Sequence, residues 1–162
     1  MVRLYTTPRR CKMTVLSIVQ LGDSNKHLLR EICEEVSDVS NQEVRKLIID
    51  MWETLNAEKT GVGLAAPQVG QTIRLILVKT KDFTETLANP VIVSRHAMEK
   101  VDEEGCLSVP GVWKKVKRSH SIVVSYTDRN GFKQETKLKG FSARVVQHEV
   151  EHLNGILITD KK

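Results

Sequence analysis

The stretch Gln147 to Gly155, QHEVEHLNG, constrains this chain more than any other. It places His148, Glu149 and His152 in the pattern H-E-x-x-H. On a helix, residues four apart stand one above the other on the same face. Both imidazoles can therefore reach one metal ion, with the Glu149 carboxylate beside it as a general base. The stretch is also apolar at helical spacing. Phe141, Val145, His148 and His152 share one stripe, and Val146, Val150 and Leu153 widen it. The histidines thus face the buried side of the predicted helix. Two core histidines with satisfied hydrogen bonds are the blander account; the full five-residue pattern on an apolar helix favours a metal.

A catalytic site of this kind takes three protein ligands and keeps a position open. Only ten residues follow His152, and none is Glu, His or Cys. The longer frame H-E-x-x-H-x-x-G-x-x-H is met at Gly155 but ends on Ile158. The third ligand must come from upstream, and Cys106, in the loop predicted over Glu103–Gly111, is the best candidate. His27, His96 and His120 lie among charged or polar neighbours and read as surface residues. The three cysteines, Cys11, Cys33 and Cys106, are odd in number and lack paired spacing. That argues against a disulfide framework and for a reducing compartment, with Cys33 a buried structural thiol.

At 162 residues the chain is long enough for one domain with a sizeable core. No apolar run approaches the roughly 18 residues of a membrane span, and no secretory signal is visible. The net charge of +5 is compatible with RNA or ribosome proximity without demonstrating it. Residues 1–12 carry four basic side chains and no acid, and Met13 looks like a second start. They read as an N-terminal extension, mobile or added as an edge strand, ahead of a single catalytic domain over 13–162. A very short targeting piece is the other reading.

Val44, Leu47, Ile48, Met51, Trp52 and Leu55 predict an amphipathic helix, capped by Ser40 or Asn41 and ended by Glu58 to Gly61. Gly61 to Gly70, GVGLAAPQVG, then exposes backbone that a substrate chain can approach, with the Gln68 amide as donor and acceptor. A tight loop between helix and strand accounts for it equally well. Ile73 to Lys79 reads as a strand. Thr86 to Val93 reads as another, at an edge or bulge because of Asn89-Pro90. Val112 to Arg118 alternates apolar and basic residues. Ser121–Tyr126 and Phe132–Leu138 form a hairpin about Asp128-Arg129-Asn130-Gly131. The order implies an α+β fold, with antiparallel sheets packed around a C-terminal metal-binding helix.

Three motifs, GVGLAAPQVG (61–70), EGCLS (104–108) and QHEVEH (147–152), resemble the signature motifs of the peptide deformylase family, in the family's order and with similar separations. The resemblance spans about Ile18 to the C-terminus. It implies a hydrolase that removes the formyl group from the N-terminal methionine of new polypeptides. It implies one divalent metal held by Cys106, His148 and His152, with Fe2+ the usual physiological ion and Zn2+, Ni2+ or Co2+ able to occupy such a site. A water activated at the metal attacks the formyl carbon, with Glu149 as base and then acid. Gln68 and the Leu107 N–H hold the oxyanion alongside the metal. By the same analogy Val62, Gly63 and Gly105 pair with the substrate backbone, and Val62, Phe141 and Val145 wall the methionine pocket. The implied partners are N-formyl-methionyl nascent peptides near the ribosome, with no membrane and no stable nucleic-acid complex. The implied setting is the bacterial cytoplasm or an organelle.

The family pattern H-E-x-D-H reads H-E-x-E-H here, with Glu151 in the place of Asp. The acid is expected to pair with Arg118 and support the helix while both ligands and the base remain. A long helix beyond the motif is absent from this sequence. A non-catalytic metal-binding homologue is the main rival; intact Gln68, Cys106 and Glu149 argue against it. An RNA-binding module on WKKVKRSH (113–120) lacks stacking aromatics beyond Trp113. A metalloprotease is disfavoured by the Cys ligand.

Overall fold

The computed structural model describes residues 13–161. The expectations for residues 1–12 lie outside them. An extended arm leads through a 3-10 turn, Lys26–Arg30, to helix α1, Gln42–Ala57. The apolar periodicity of Val44 to Leu55 is realised there. Asn41 rather than Ser40 caps the helix, its side chain accepting from the Glu43 N–H.

Seven strands and a closing helix follow: β1 Gly63–Ala65, β2 Leu75–Lys79, β3 Thr84–Arg95, β4 Glu99–Cys106, β5 Val109–Ser119, β6 Ser121–Thr127, β7 Lys133–Lys139 and α2 Gly140–His152. Five strands make an antiparallel sheet in the order β1-β2-β3-β6-β7, and β4 and β5 form a separate antiparallel ribbon. The fold is α+β.

Strand β2 shows why the sheet sits at the centre. Alternate residues of a strand face opposite sides. Ile76 and Val78 join Leu87, Ile122 and Val124 in a core with Val146 and Val150 of α2 and Leu153 just after it. Leu75 and Leu77 pack on the other side with Met51 and Leu55 of α1. A strand buried on both faces reads as a continuous apolar run, as LILV does. Helix α2 is thereby held between the large sheet and the β4–β5 ribbon, where its polar residues can meet Cys106.

Asn89-Pro90 marks a bulge in β3, not an edge: β3 lies between β2 and β6, and its register shifts between Ala88 and Val91. Asn89 takes a positive φ of 51°, which Asn tolerates better than most residues. Its amide accepts from the Val36 N–H at 2.8 Å and donates to the Val36 carbonyl at 2.8 Å, tying the arm that precedes α1 to the bulge. The hairpin at Asp128 to Gly131 forms as expected. The loop expected over Glu103–Gly111 is instead the end of β4, a two-residue turn at Leu107 and Ser108, and the start of β5. Its glycines suggest a loop, but cross-strand pairing with the alternating residues of β5 extends the ribbon to Cys106. Among the described residues no helix is long and apolar enough to cross a membrane.

Candidate metal centre and active site

Helix α2 carries His148, Glu149 and His152 into the interior, because its apolar stripe docks on the sheet and takes these residues with it. The β4–β5 turn brings Cys106 to the same point. Cys106 Sγ lies 3.3 Å from His152 Nε2, which lies 3.2 Å from His148 Nε2. One ligand atom from each residue falls within 4.8 Å of the others. A sulfur and two imidazole nitrogens crowd their lone pairs together, an arrangement that a cation relieves, and the donor set suits iron, zinc, nickel or cobalt. The residues therefore fit a divalent metal.

Glu104 orients one of these ligands. Its Oε2 lies 3.0 Å from His148 Nδ1. An ionised carboxylate only accepts, so Nδ1 is the donor, and once Nε2 gives up its proton its lone pair faces the cluster. The same carboxylate is gripped by Arg118, with Nε to Oε1 at 2.6 Å and Nη2 to Oε2 at 2.8 Å, and by Arg144 at 2.6 Å. Burial opposes the charge, but hydrogen bonds from His148, Arg118 and Arg144 hold the Glu104 carboxyl well below the usual carboxylate range.

The other titrating groups are set by the same burial. His152, 1% exposed, is kept neutral, its pKa pulled well below the ordinary value by burial and then by His148. Burial pulls His148 the same way, but its contacts with Cys106 and Glu104 hold the metal-free imidazolium up to about 10. A metal must displace that proton. Metal affinity is therefore expected to rise about tenfold or more per pH unit between pH 6 and 9, read by chelator competition. Burial pushes the Glu149 carboxyl up to about 7, near the pH where a base works best. Glu149 Oε2 is buried and finds no hydrogen-bond partner among the described residues. A buried carboxylate oxygen left unpaired suits a group that awaits a proton.

Above the cluster opens a cavity of about 810 Å³. Its lining includes Val62, Gly63, Gln68, Gly105, Cys106, Leu107, Phe141, Val145, His148 and Glu149. His152 lies beneath. Gln68 reaches the cavity from a short 3-10 turn, Ala66–Val69, its Nε2 3.7 Å from Cys106 Sγ. Phe141 is half in solvent at the rim rather than buried with the rest of its stripe. Gly63 is required by space. A Cβ there would stand 2.8 Å from Glu149 Cδ and closer still to Oε1. Gly63→Ala is expected to push the carboxylate aside and lower turnover by roughly 10- to 100-fold while metal content stays unchanged.

Arg118 and Glu151 form an ion pair at 3.0 Å, but the two-point partner of Arg118 is Glu104, and Glu151 also takes Lys161 at 2.6 Å. Sequence alone assigns no role to Glu104 or Arg144. The spacing of Glu104 two residues from Cys106 along an extended strand is the one local signal for it. Cys33 is buried, and burial raises its thiol to about 11, consistent with an inert structural position. His27 and His96 are exposed and His120 half-buried.

A thiolate-forming sulfur, two helical imidazoles and an adjacent buried glutamate at the floor of a cleft define a metal-dependent hydrolase centre of the H-E-x-x-H class. The family model for polypeptide deformylase matches residues 15–162. The chain is 44% identical over 149 residues to peptide deformylase of Pelotomaculum thermopropionicum, covering 92% of each. It superposes on the crystal structure of peptide deformylase from Thermotoga maritima with a TM-score of 0.84 at 37% identity, covering 91% of this chain and 97% of that one. The Met-Ala-Ser-bound class I type b peptide deformylase of Acinetobacter baumannii gives a TM-score of 0.85 at 33% identity, covering 93% of this chain and all of the other. The chain belongs to the polypeptide deformylase family and is an enzyme of the hydrolase class.

Proposed function

We propose that this protein removes the N-formyl group from the initiator methionine of newly made polypeptides in the bacterial cytoplasm. One observation carries the reading: Cys106, His148 and His152 converge at the floor of a cleft whose wall holds Glu149 and Gln68. The Met-Ala-Ser peptide bound to the Acinetobacter relative supports a peptide occupant for that cleft. Residues 13–162 form the catalytic unit, and the reaction takes place as chains emerge near the ribosome.

Cys106, His148 and His152 hold the metal, with Fe2+ as the physiological ion. When bound, the metal supplies Lewis-acid activation of a water and of the formyl carbonyl. Glu149 takes a proton from the attacking water at its unpaired Oε2 and passes it to the departing amine nitrogen. The Gln68 Nε2–H and the Leu107 N–H donate to the oxygen that becomes negative. Strand β1 ends the five-stranded sheet, so the substrate backbone adds along Val62 and Gly63, with Gly105 on the other side. Val62 and Val145 enclose the methionine side chain, and Phe141 covers the rim. Glu151, through Arg118, supports the helix that carries both histidines.

The test is formate release from N-formyl-Met-Ala-Ser by protein purified without oxygen and loaded with Fe2+ or Ni2+, with N-acetyl-Met-Ala-Ser beside it. Formate from the first peptide and slow turnover of the second are expected. A folded, metal-loaded protein that releases no formate sinks the reading. In the same assay Gln68→Ala is expected to lower kcat by about 10²- to 10³-fold, the usual effect of removing one oxyanion donor. A nucleic-acid role for residues 113–120 is disfavoured because Arg118 of that run is turned inside to Glu104.

A further inference from the structure

The Ser108 hydroxyl stands within hydrogen-bond reach of the proposed oxyanion donor. Ser108 follows Cys106 and Leu107 in the β4–β5 turn and is completely buried. Its Oγ accepts from Gln68 Nε2 at 3.2 Å. At the other end of the same amide, Gln68 Oε1 accepts from the Ala65 N–H at 2.9 Å. A backbone N–H can only donate, so the Ala65 contact decides which end of the amide is oxygen. That leaves Nε2 facing Cys106 and the cleft. It does not decide how the amide tilts about its last torsion, which is broad for a glutamine. The Ser108 hydroxyl restrains that tilt.

The two backbones are also set relative to one another. The extended arm donates from the Val19 N–H to the Gln68 carbonyl at 2.8 Å and from the Leu21 N–H to the Ser108 carbonyl at 3.1 Å. Residues two apart along the arm thus tie the Gln68 turn to the β4–β5 turn, and the two side chains meet across a gap that the main chain holds.

We infer that Ser108 is a positioning residue for deformylation: its buried hydroxyl holds the Gln68 side-chain amide so that one Nε2–H is aimed into the cleft and the other is satisfied. Three successive residues then serve three tasks, with Cys106 as ligand, Leu107 as backbone donor and Ser108 as the support of the side-chain donor. This rests on the deformylase reading of the site. An oxyanion donor acts through geometry prepared before the reaction, so loosening it costs transition-state stabilisation more than substrate binding.

The experiment is a double-mutant cycle on the metal-loaded enzyme with N-formyl-Met-Ala-Ser: wild type, Ser108→Ala, Gln68→Ala and the pair. Ser108→Ala is expected to lower kcat about 3- to 10-fold with KM within about twofold, the size of one ordinary hydrogen bond. In the Gln68→Ala background the same change is expected to have no further effect on kcat. Ser108→Cys, nearly isosteric with a weaker acceptor, is expected to fall between Ser and Ala, and it replaces Ser108→Ala in the cycle if that variant does not fold. An equal loss of kcat in both backgrounds, or wild-type kcat in Ser108→Ala, overturns the inference while leaving the deformylase reading intact. Absence of formate from the wild type overturns both.

Discussion

Glu149→Gln is expected to reduce formate release by about 10²- to 10⁴-fold while leaving metal content and fold unchanged. The substitution keeps the shape of a side chain that is buried against Gly63 and removes only the ability to take a proton. Glu149 is not one of the three converging ligand residues, so a bound metal should remain. The affected parameter is kcat, because the proton moves in the transition state and not on binding. Steady-state formate assays alongside metal analysis separate the two. A variant that retains metal and wild-type turnover would place the base elsewhere. The pH profile gives an independent check. With its carboxyl pushed up to about 7 by burial, the metal-free Glu149 is a base only toward the neutral side, and a bound cation shifts the limb to lower pH. The acidic limb of kcat/KM is accordingly expected at or below pH 7 and absent from the residual activity of Glu149→Gln.

Glu104→Ala is expected to destabilise the protein by about 3–5 kcal/mol and to weaken metal binding by about 10- to 100-fold. Removing this carboxylate strips Arg118 of its two-point partner and Arg144 of its buried acid, leaving guanidinium charge in the interior. It also frees His148 Nδ1, so the ring loses the contact that holds Nε2 toward Cys106 and His152. Denaturant unfolding of the metal-free protein measures the first effect, and chelator competition measures the second. Full stability in the variant would contradict the network.

The pH dependence has a definite sign. The carboxyl of Glu104 is lower in the folded chain than in the unfolded one, so its contribution is present above the unfolded value of about 4.3 and is lost as pH falls toward the folded one. Wild-type stability is expected to decline below about pH 4, and the decline should be shallower in Glu104→Ala.

Much of the site is legible in the sequence because its spacing is local. His148 and His152 are four apart on one helix, so an apolar stripe and a helical period suffice to bring them together with Glu149. Gln68 and Cys106 carry their own signals in the motifs around them, and β2, β3, β5, β6 and β7 follow from alternation and turn residues, whereas β1 and β4 do not. The network behind the ligands has no such signal. Glu104 opens the EGCLS motif with no role of its own, and Arg118 is read only as the partner of Glu151. Neither composition nor period says that both point inward, because β4 and β5 become a ribbon only when paired with each other. The turn at Leu107 and Ser108 was open to a loop reading for the same reason. Sequence alone determined the fold class and the placing of His148, Glu149 and His152 together on one helix, since these depend on periods of two and four along one element. The tertiary structure decided which carboxylate orients His148, which glycine leaves room for Glu149 and which hydroxyl meets Gln68. Those are contacts between residues 40 to 86 positions apart, fixed only when α2, the large sheet and the ribbon pack on one another.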